Sequence, residues 1–207
     1  MSDERDQELS LIASEVRVCT DCELHRGRTL AVPGDGASDA DVVFIGEAPG
    51  MNEDKQGLPF VGNSGKFLND MLESIGWDRE SVFITNIVKC RPPGNRDPLP
   101  DEIEACSQYL DRQIELLDPK MIVTLGRHSM SRWFGNERIS RIHGKHRTFD
   151  NRVVVPMYHP AAALHQPSLR AVVQADFKKL PLILEEAMQG GAGQEDDEND
   201  AEQMSLF

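Results

Sequence analysis

Apolar residues recur along this chain in two rhythms. Four short runs, at residues 42–45, 82–88, 121–125 and 153–157, are almost continuously β-branched or aliphatic and too short for a helix. Between them apolar residues return every three or four positions. Leu9, Ile12 and Val16 mark a helix over residues 8–18, and Phe67, Leu68, Met71, Leu72 and Ile75 mark another over 65–75. Ile103, Cys106, Leu110, Ile114 and Leu117 mark a third over 100–117, and residues 127–134 and 169–187 continue the pattern. Strands alternating with helices predict an α/β fold, with a mainly parallel four-stranded sheet covered on both faces. Such sheets bind ligands beyond the carboxyl ends of their strands. Three of the predicted strands end there in GEAPG, TNIVKC and MYHP.

The 207 residues suffice for one domain with a real core, expected over residues 1–188. No apolar run approaches the roughly 18–20 residues of a membrane span. The acidic start, MSDERDQELS, is no secretory signal, so the expected location is cytoplasmic. Residues 189–207 are Gly-rich, then acidic, and read as a disordered tail. The net charge of −13 argues at first against a polyanionic partner. Its distribution changes that picture, because the excess acid is concentrated at the two ends. RISRIHGKHR, residues 138–147, has four Arg or Lys, two His and no acid. A local basic patch of this kind can neutralise phosphates, although a solvated charged surface has the same composition.

The four cysteines are Cys19 and Cys22 in a CxxC pair, Cys90 at a strand end, and Cys106 in a helix. In a reducing compartment they are poor candidates for structural disulfides. Tetrahedral zinc and an iron–sulfur cluster both use four thiolates, and the ligand types alone do not separate them. Cys106 also lies on the apolar side of its helix, where a plain core cysteine would sit.

Taken in order, CTDC, GEAPGMNEDKQGLPFVGNSG, TNIVKCRPPGNRDP, Cys106 and YHPAAAL resemble the family 4 uracil-DNA glycosylases, the iron–sulfur branch of their superfamily. The likeness runs from about residue 9 to 185. It implies a three-layer α/β/α sandwich, and a [4Fe–4S] cluster on Cys19, Cys22, Cys90 and Cys106. It implies a monomeric enzyme that flips uracil out of DNA and hydrolyses its N-glycosidic bond. Base flipping requires a fitted pocket, and departure of the base requires donors for an anion and negative charge beside a cationic sugar. The resemblance assigns the uracil pocket to Gly46, Glu47, Ala48, Phe60, Asn86 and His159. Glu47 would steady the sugar cation or water, Phe60 would stack on the base, and Asn86 would read its N3–H and O4. His159 would donate to O2. Read without the resemblance, Phe60 is equally a core aromatic, Asn86 a turn cap and His159 a packing residue.

The same resemblance makes residues 161–167 a loop that fills the gap left by the flipped base, with Leu164 as its wedge. His165 stands where family members commonly carry Arg, and Ala48 where better-known relatives of the superfamily carry Asp. Lys89, Arg91 and Arg96 are expected to contact phosphates or shield the cluster, with Arg141, Lys145 and Arg147 as a second basic edge. RIHGKHR also resembles the histidine loop of a covalent uracil-DNA binding branch, but that branch carries its loop just after the second strand. The chain ends in Gln203, Met204, Ser205, Leu206 and Phe207, similar to the pentapeptide by which bacterial proteins dock on the replicative sliding clamp. The other readings are a uracil- or damage-recognising binder with little turnover, and a zinc scaffold.

Overall fold

A computed structural model describes residues 2–190. The predicted tail beyond them, with Gln203–Phe207, lies outside the described residues. Four parallel strands form the centre of the sheet: β2 (Val42–Gly46), β3 (Phe83–Asn86), β4 (Met121–Leu125) and β6 (Arg152–Met157). Two short antiparallel strands close its edges, β1 (Asp35–Gly36) on β3 and β5 (Arg147–Phe149) on β6. The order is β1-β3-β2-β4-β6-β5, so the sheet has six strands and not the expected four. Both additions are too short, and too polar in sequence, to announce themselves by alternation.

The central strands are buried on both faces, which is why they read as continuous apolar runs. Along β2, Val42 and Phe44 face one core and Val43 and Ile45 the other. The first core is completed by α3 (Asn63–Ser74), α8 (Ser168–Phe177) and α9 (Leu180–Met188). Phe44 and Phe177 stack across it at 6.1 Å, a contact worth about 0.5–1.5 kcal/mol beyond its burial. The second core takes α4 (Pro100–Leu117), α5 (Arg127–Phe134) and α6 (Ile139–Ile142). A satellite cluster joins α1 (Ser2–Val18) to α4 through Ile12, Val16, Cys106 and Tyr109. This is the three-layer sandwich.

Three expectations change at the element ends. The helix over 169–187 is broken at Lys178–Lys179, because Pro181 lacks the N–H that would continue the ladder and starts α9 instead. A short helix, α2 (Met51–Gln56), follows β2. Residues 161–167 are largely helical: α7 (Pro160–His165) begins at His159, whose side chain caps it. In register, Gly46 lies opposite Asn86 and Leu125 opposite Met157. All four parallel strands therefore end at one rim.

Candidate active site

Gly46 sets the width of this rim. A Cβ there would stand 2.4 Å from Asn86 Oδ1 and 2.7 Å from Phe60 Cζ, so only glycine lets ring and amide approach the strand end. Phe60 has a φ of 51°, the left-handed region that a bulky residue adopts only when its surroundings force it. Those surroundings are specific. The Glu53 carboxylate accepts the N–H groups of Val61 and Gly62 at 2.9 and 2.8 Å. The Arg79 guanidinium donates to Pro59 O at 2.5 Å and to Phe60 O at 3.4 Å. A Cβ on Gly65 would lie 1.8 Å from Phe60 O. The ring so held stacks on His159, with centroids 5.7 Å apart and planes 27° from parallel.

His159 Nδ1 accepts a hydrogen bond from Ala161 N–H at 3.1 Å, which leaves the proton of the neutral ring on Nε2. Burial pushes its pKa down to about 4, so at neutral pH the ring is an uncharged N–H donor. Asn86 is 2% exposed, and its Oδ1 is buried without a partner. An orphaned buried carbonyl costs about 1–3 kcal/mol unless something supplies a donor.

Burial also raises the Glu47 carboxyl, opposed by the neighbouring His128 imidazole. His128 Nε2 lies 3.7 Å from Glu47 Oε2 and 3.2 Å from Asp97 Oδ2, close to both but aligned for a hydrogen bond with neither. Arg127 pairs with the same Asp97 oxygen, Oδ2. Sequence reasoning missed His128, Asp97, Glu53 and Arg79. The signal for His128 was available: GRH follows the third predicted strand directly, at the rim where the other strands end.

Glu47, Ala48, Phe60, Asn86, His159 and His165 line one cleft of about 370 Å³, within the usual range for small-molecule sites. The residues around it differ in freedom. Lys89 is only 1% exposed and cannot reach a phosphate, which corrects the first of its two expected roles; the residue lies instead beside the cysteine cavity. Its ammonium donates to Thr85 Oγ1, Asn86 O and Gln113 Oε1, and burial pushes its pKa down to about 8. Arg96 is forked onto the buried Glu102 and Arg91 donates to Asn95. Arg141, Lys145 and Arg147 are all exposed, and Arg147 is braced on Glu137 and the Phe134 ring. Leu164, 36% exposed, and His165 end α7 at the mouth of the cleft. His143, in the segment that resembles the covalent branch, is bonded to Asp176 at 2.6 Å.

The four cysteines line a second, smaller cavity between α1, α4 and the end of β3. Arg28 donates to Cys90 Sγ at 3.1 Å and the Lys89 peptide N–H to Cys106 Sγ at 3.2 Å. Burial pushes Cys106 up to about 11 and raises Cys22 and Cys90, so thiolates here need a metal cation beside them. Four sulfurs on one zinc, each bonded at about 2.3 Å, would stand about 3.8 Å apart. Among the described residues no three cysteine sulfurs lie within 4.8 Å of one another; Glu47, Asp97 and His128 are the group that does. Four thiols lining one cavity are a donor set that a zinc ion and an iron–sulfur cluster both use.

Residues 33–181 match the Uracil DNA glycosylase superfamily. A type-4 uracil-DNA glycosylase of Sulfurisphaera tokodaii is 52% identical over 182 residues, 83% of each chain. One from Archaeoglobus fulgidus is 47% identical over 183 residues, 84% of this chain and 92% of its own. Another, from Thermotoga maritima, is 40% identical over 180 residues, 84% of this chain and 94% of its own.

Proposed function

This chain belongs to the uracil DNA glycosylase superfamily, and from that membership we propose that its cleft hydrolyses the N-glycosidic bond of uracil in DNA. The observation that carries the reading is the pairing of an orphaned Asn86 carbonyl with a neutral His159 donor in one cleft. Uracil presents N3–H and O4 to an amide, which accepts from the first and donates to the second. Cytosine presents the inverse pattern and would leave buried groups unpaired, a mismatch that discriminates strongly. Phe60 stacks on the flipped ring.

When the N1–C1′ bond breaks, its electron pair leaves with the base and negative charge gathers on O2. His159, a lining residue of the cleft, donates Nε2–H to that charge, a contribution of about 10²–10³ in rate for one such donor. The sugar is left cationic. The Glu47 carboxylate stabilises it and positions water, whose oxygen bonds C1′ while its proton passes, by way of the carboxylate, to the departing uracil. Ala48 cannot take that proton, and the nearby His128 favours the ionised form of Glu47 through space. The products are free uracil and an abasic site, and repair must follow.

Cys19, Cys22, Cys90 and Cys106 would hold a [4Fe–4S] cluster, which when bound supplies a rigid cross-link between the N-terminal segment, β3 and α4. Absorption near about 400 nm with iron in the purified protein supports it, and zinc without iron argues against it. Arg141 and Lys145 supply phosphate contacts, and Leu164 fills the space left by the flipped base. No helix among the described residues is long and apolar enough to cross a membrane. We infer a cytoplasmic location, where thiols stay reduced and DNA is accessible.

The deciding experiment incubates purified protein with U:A, U:G and single-stranded uracil DNA and measures released uracil and alkali-labile sites. Activity that survives both His159→Ala and Asn86→Ala overturns the assignment of roles. A second element is the C-terminal Gln203–Phe207, which we propose docks on a sliding clamp, its acidic linker raising local concentration. Deleting 203–207 abolishes clamp binding and leaves cleavage of short oligonucleotides intact; unchanged clamp binding removes the idea.

A further inference from the structure

At the end that carries Asn86, β3 is paired on one side only, with β2, and the Gly46 and Glu47 carbonyls there accept from Ile87 and Val88 N–H. Its outer neighbour, β1, pairs only with Phe83 and Ile84. On that side Thr85 and Asn86 have no strand partner, and the Asn86 carbonyl turns inward. The gap is filled by a side chain. Lys89, three residues further on, folds back beneath the strand end and places its ammonium 2.9 Å from Asn86 O, 2.6 Å from Thr85 Oγ1 and 2.7 Å from Gln113 Oε1. An ammonium has three protons, and all three are used. Gln113, on α4, is itself anchored by donating to Pro33 O at 2.6 Å. The Lys89 backbone is held as firmly: its carbonyl accepts from Val32 N–H at 2.7 Å and its N–H donates to Cys106 Sγ.

A fully buried cation whose hydrogen-bond acceptors are all neutral is expensive even with Cys106 and Asp111 near enough to favour its charge, and an apolar residue would fill the same space more cheaply. Core packing therefore does not explain a lysine here. We propose that Lys89 is the positioning residue of the base pocket: it replaces the missing strand partner, fixes the backbone of Asn86, and so aims the amide that reads the base. It touches no substrate. This inference rests on the reading of Asn86 as the base-reading group. A strand end released by even a fraction of an ångström misaligns both amide bonds at once, and displacements near 1 Å cost about a hundredfold.

The test is Lys89→Met, similar in length and uncharged, assayed as the iron-loaded full chain. Thermal melting checks the fold, free uracil serves as competitive inhibitor, and uracil-free duplex DNA probes the rest of the interface. The expected result is an inhibition constant for uracil raised about tenfold and a kcat/KM lowered by at least as much, with affinity for uracil-free DNA unchanged. A folded Lys89→Met protein that binds uracil as tightly as the wild type overturns the role of Lys89 and leaves the cleft assignment standing. A wild-type chain that neither releases nor binds uracil overturns that assignment and this role with it. If Lys89→Met does not fold, Gln113→Met removes one acceptor from outside the cleft. About threefold weaker uracil binding is then expected, and unchanged binding counts against the proposal.

Discussion

The cysteine centre and the cleft lie a few residues apart at the end of β3, and they treat polar atoms in opposite ways. Around the cysteines, sulfur is met by donors: Arg28 on Cys90 and the Lys89 peptide on Cys106. In the cleft, Asn86 Oδ1 is buried without a hydrogen bond, and Phe60 is held in a left-handed backbone conformation. The first arrangement suits a resident group that stays for the life of the protein. The second suits a visitor, because donors and acceptors satisfied in advance would have to be broken at every turnover. Stability is concentrated in one region and readiness in the other, and substitutions should separate the two.

The largest separation is expected from Cys106→Ser. It should remove most of the iron and the cooperative melting transition, whereas Asn86→Ala should keep both and lose uracil release; iron analysis and calorimetry on the pair check this. His159→Ala should lower kcat/KM by about 10²–10³ with iron content unchanged. Loss of iron in that variant would mean that the two regions are not separable.

The pH dependence is a finer probe. His159 has a folded pKa of about 4, below its ordinary value, so its neutral state contributes stability that is complete above the ordinary histidine range. That contribution is lost as pH falls through this range toward 4. Melting of His159→Phe against wild type should therefore show a gap that changes between about pH 6.5 and 4 and is constant above. The acid limb of kcat/KM should show no step from this residue near 6.5.

The smallest effect concerns Glu47. Its raised pKa means that ionisation costs the folded state, so Glu47→Gln should lose activity and yet melt higher near neutral pH. Below the ordinary glutamate range both side chains are neutral and the difference should close. An unchanged melting temperature would show that the cleft stores less strain than the cysteine centre spares.

Much of this was legible in the sequence because burial on both faces writes a strand as an unbroken apolar run. The four parallel strands and α3, α4 and α5 were accessible in that way. β1 and β5 were not, since strands of two and three residues have no periodicity to read. α7 was read as a loop because it was judged by its role at the DNA and not by its helix-forming Ala-Ala-Ala-Leu. In the site, Glu47, Phe60, Asn86 and His159 stand in motifs and line one cleft. Glu53, Arg79 and Asp97 act on backbone or on other side chains across the fold, so no local pattern marks them. Lys89 misled for a plain reason: in a one-dimensional text a lysine between a strand and a cysteine looks like surface charge, and only packing shows that it is enclosed.

The strand order has a consequence for synthesis. β1, β3 and β2 occupy one half of the sheet and β4, β6 and β5 the other, so each half of the gene encodes a contiguous slab. A nascent chain that has cleared the ribosome as far as α4 already holds every cysteine, Phe60, Glu47 and Asn86. It still lacks His159, which arrives only with β6. The unfinished polypeptide therefore has all four thiols but no imidazole at position 159, and the rim of the cleft is completed only after β6 has emerged.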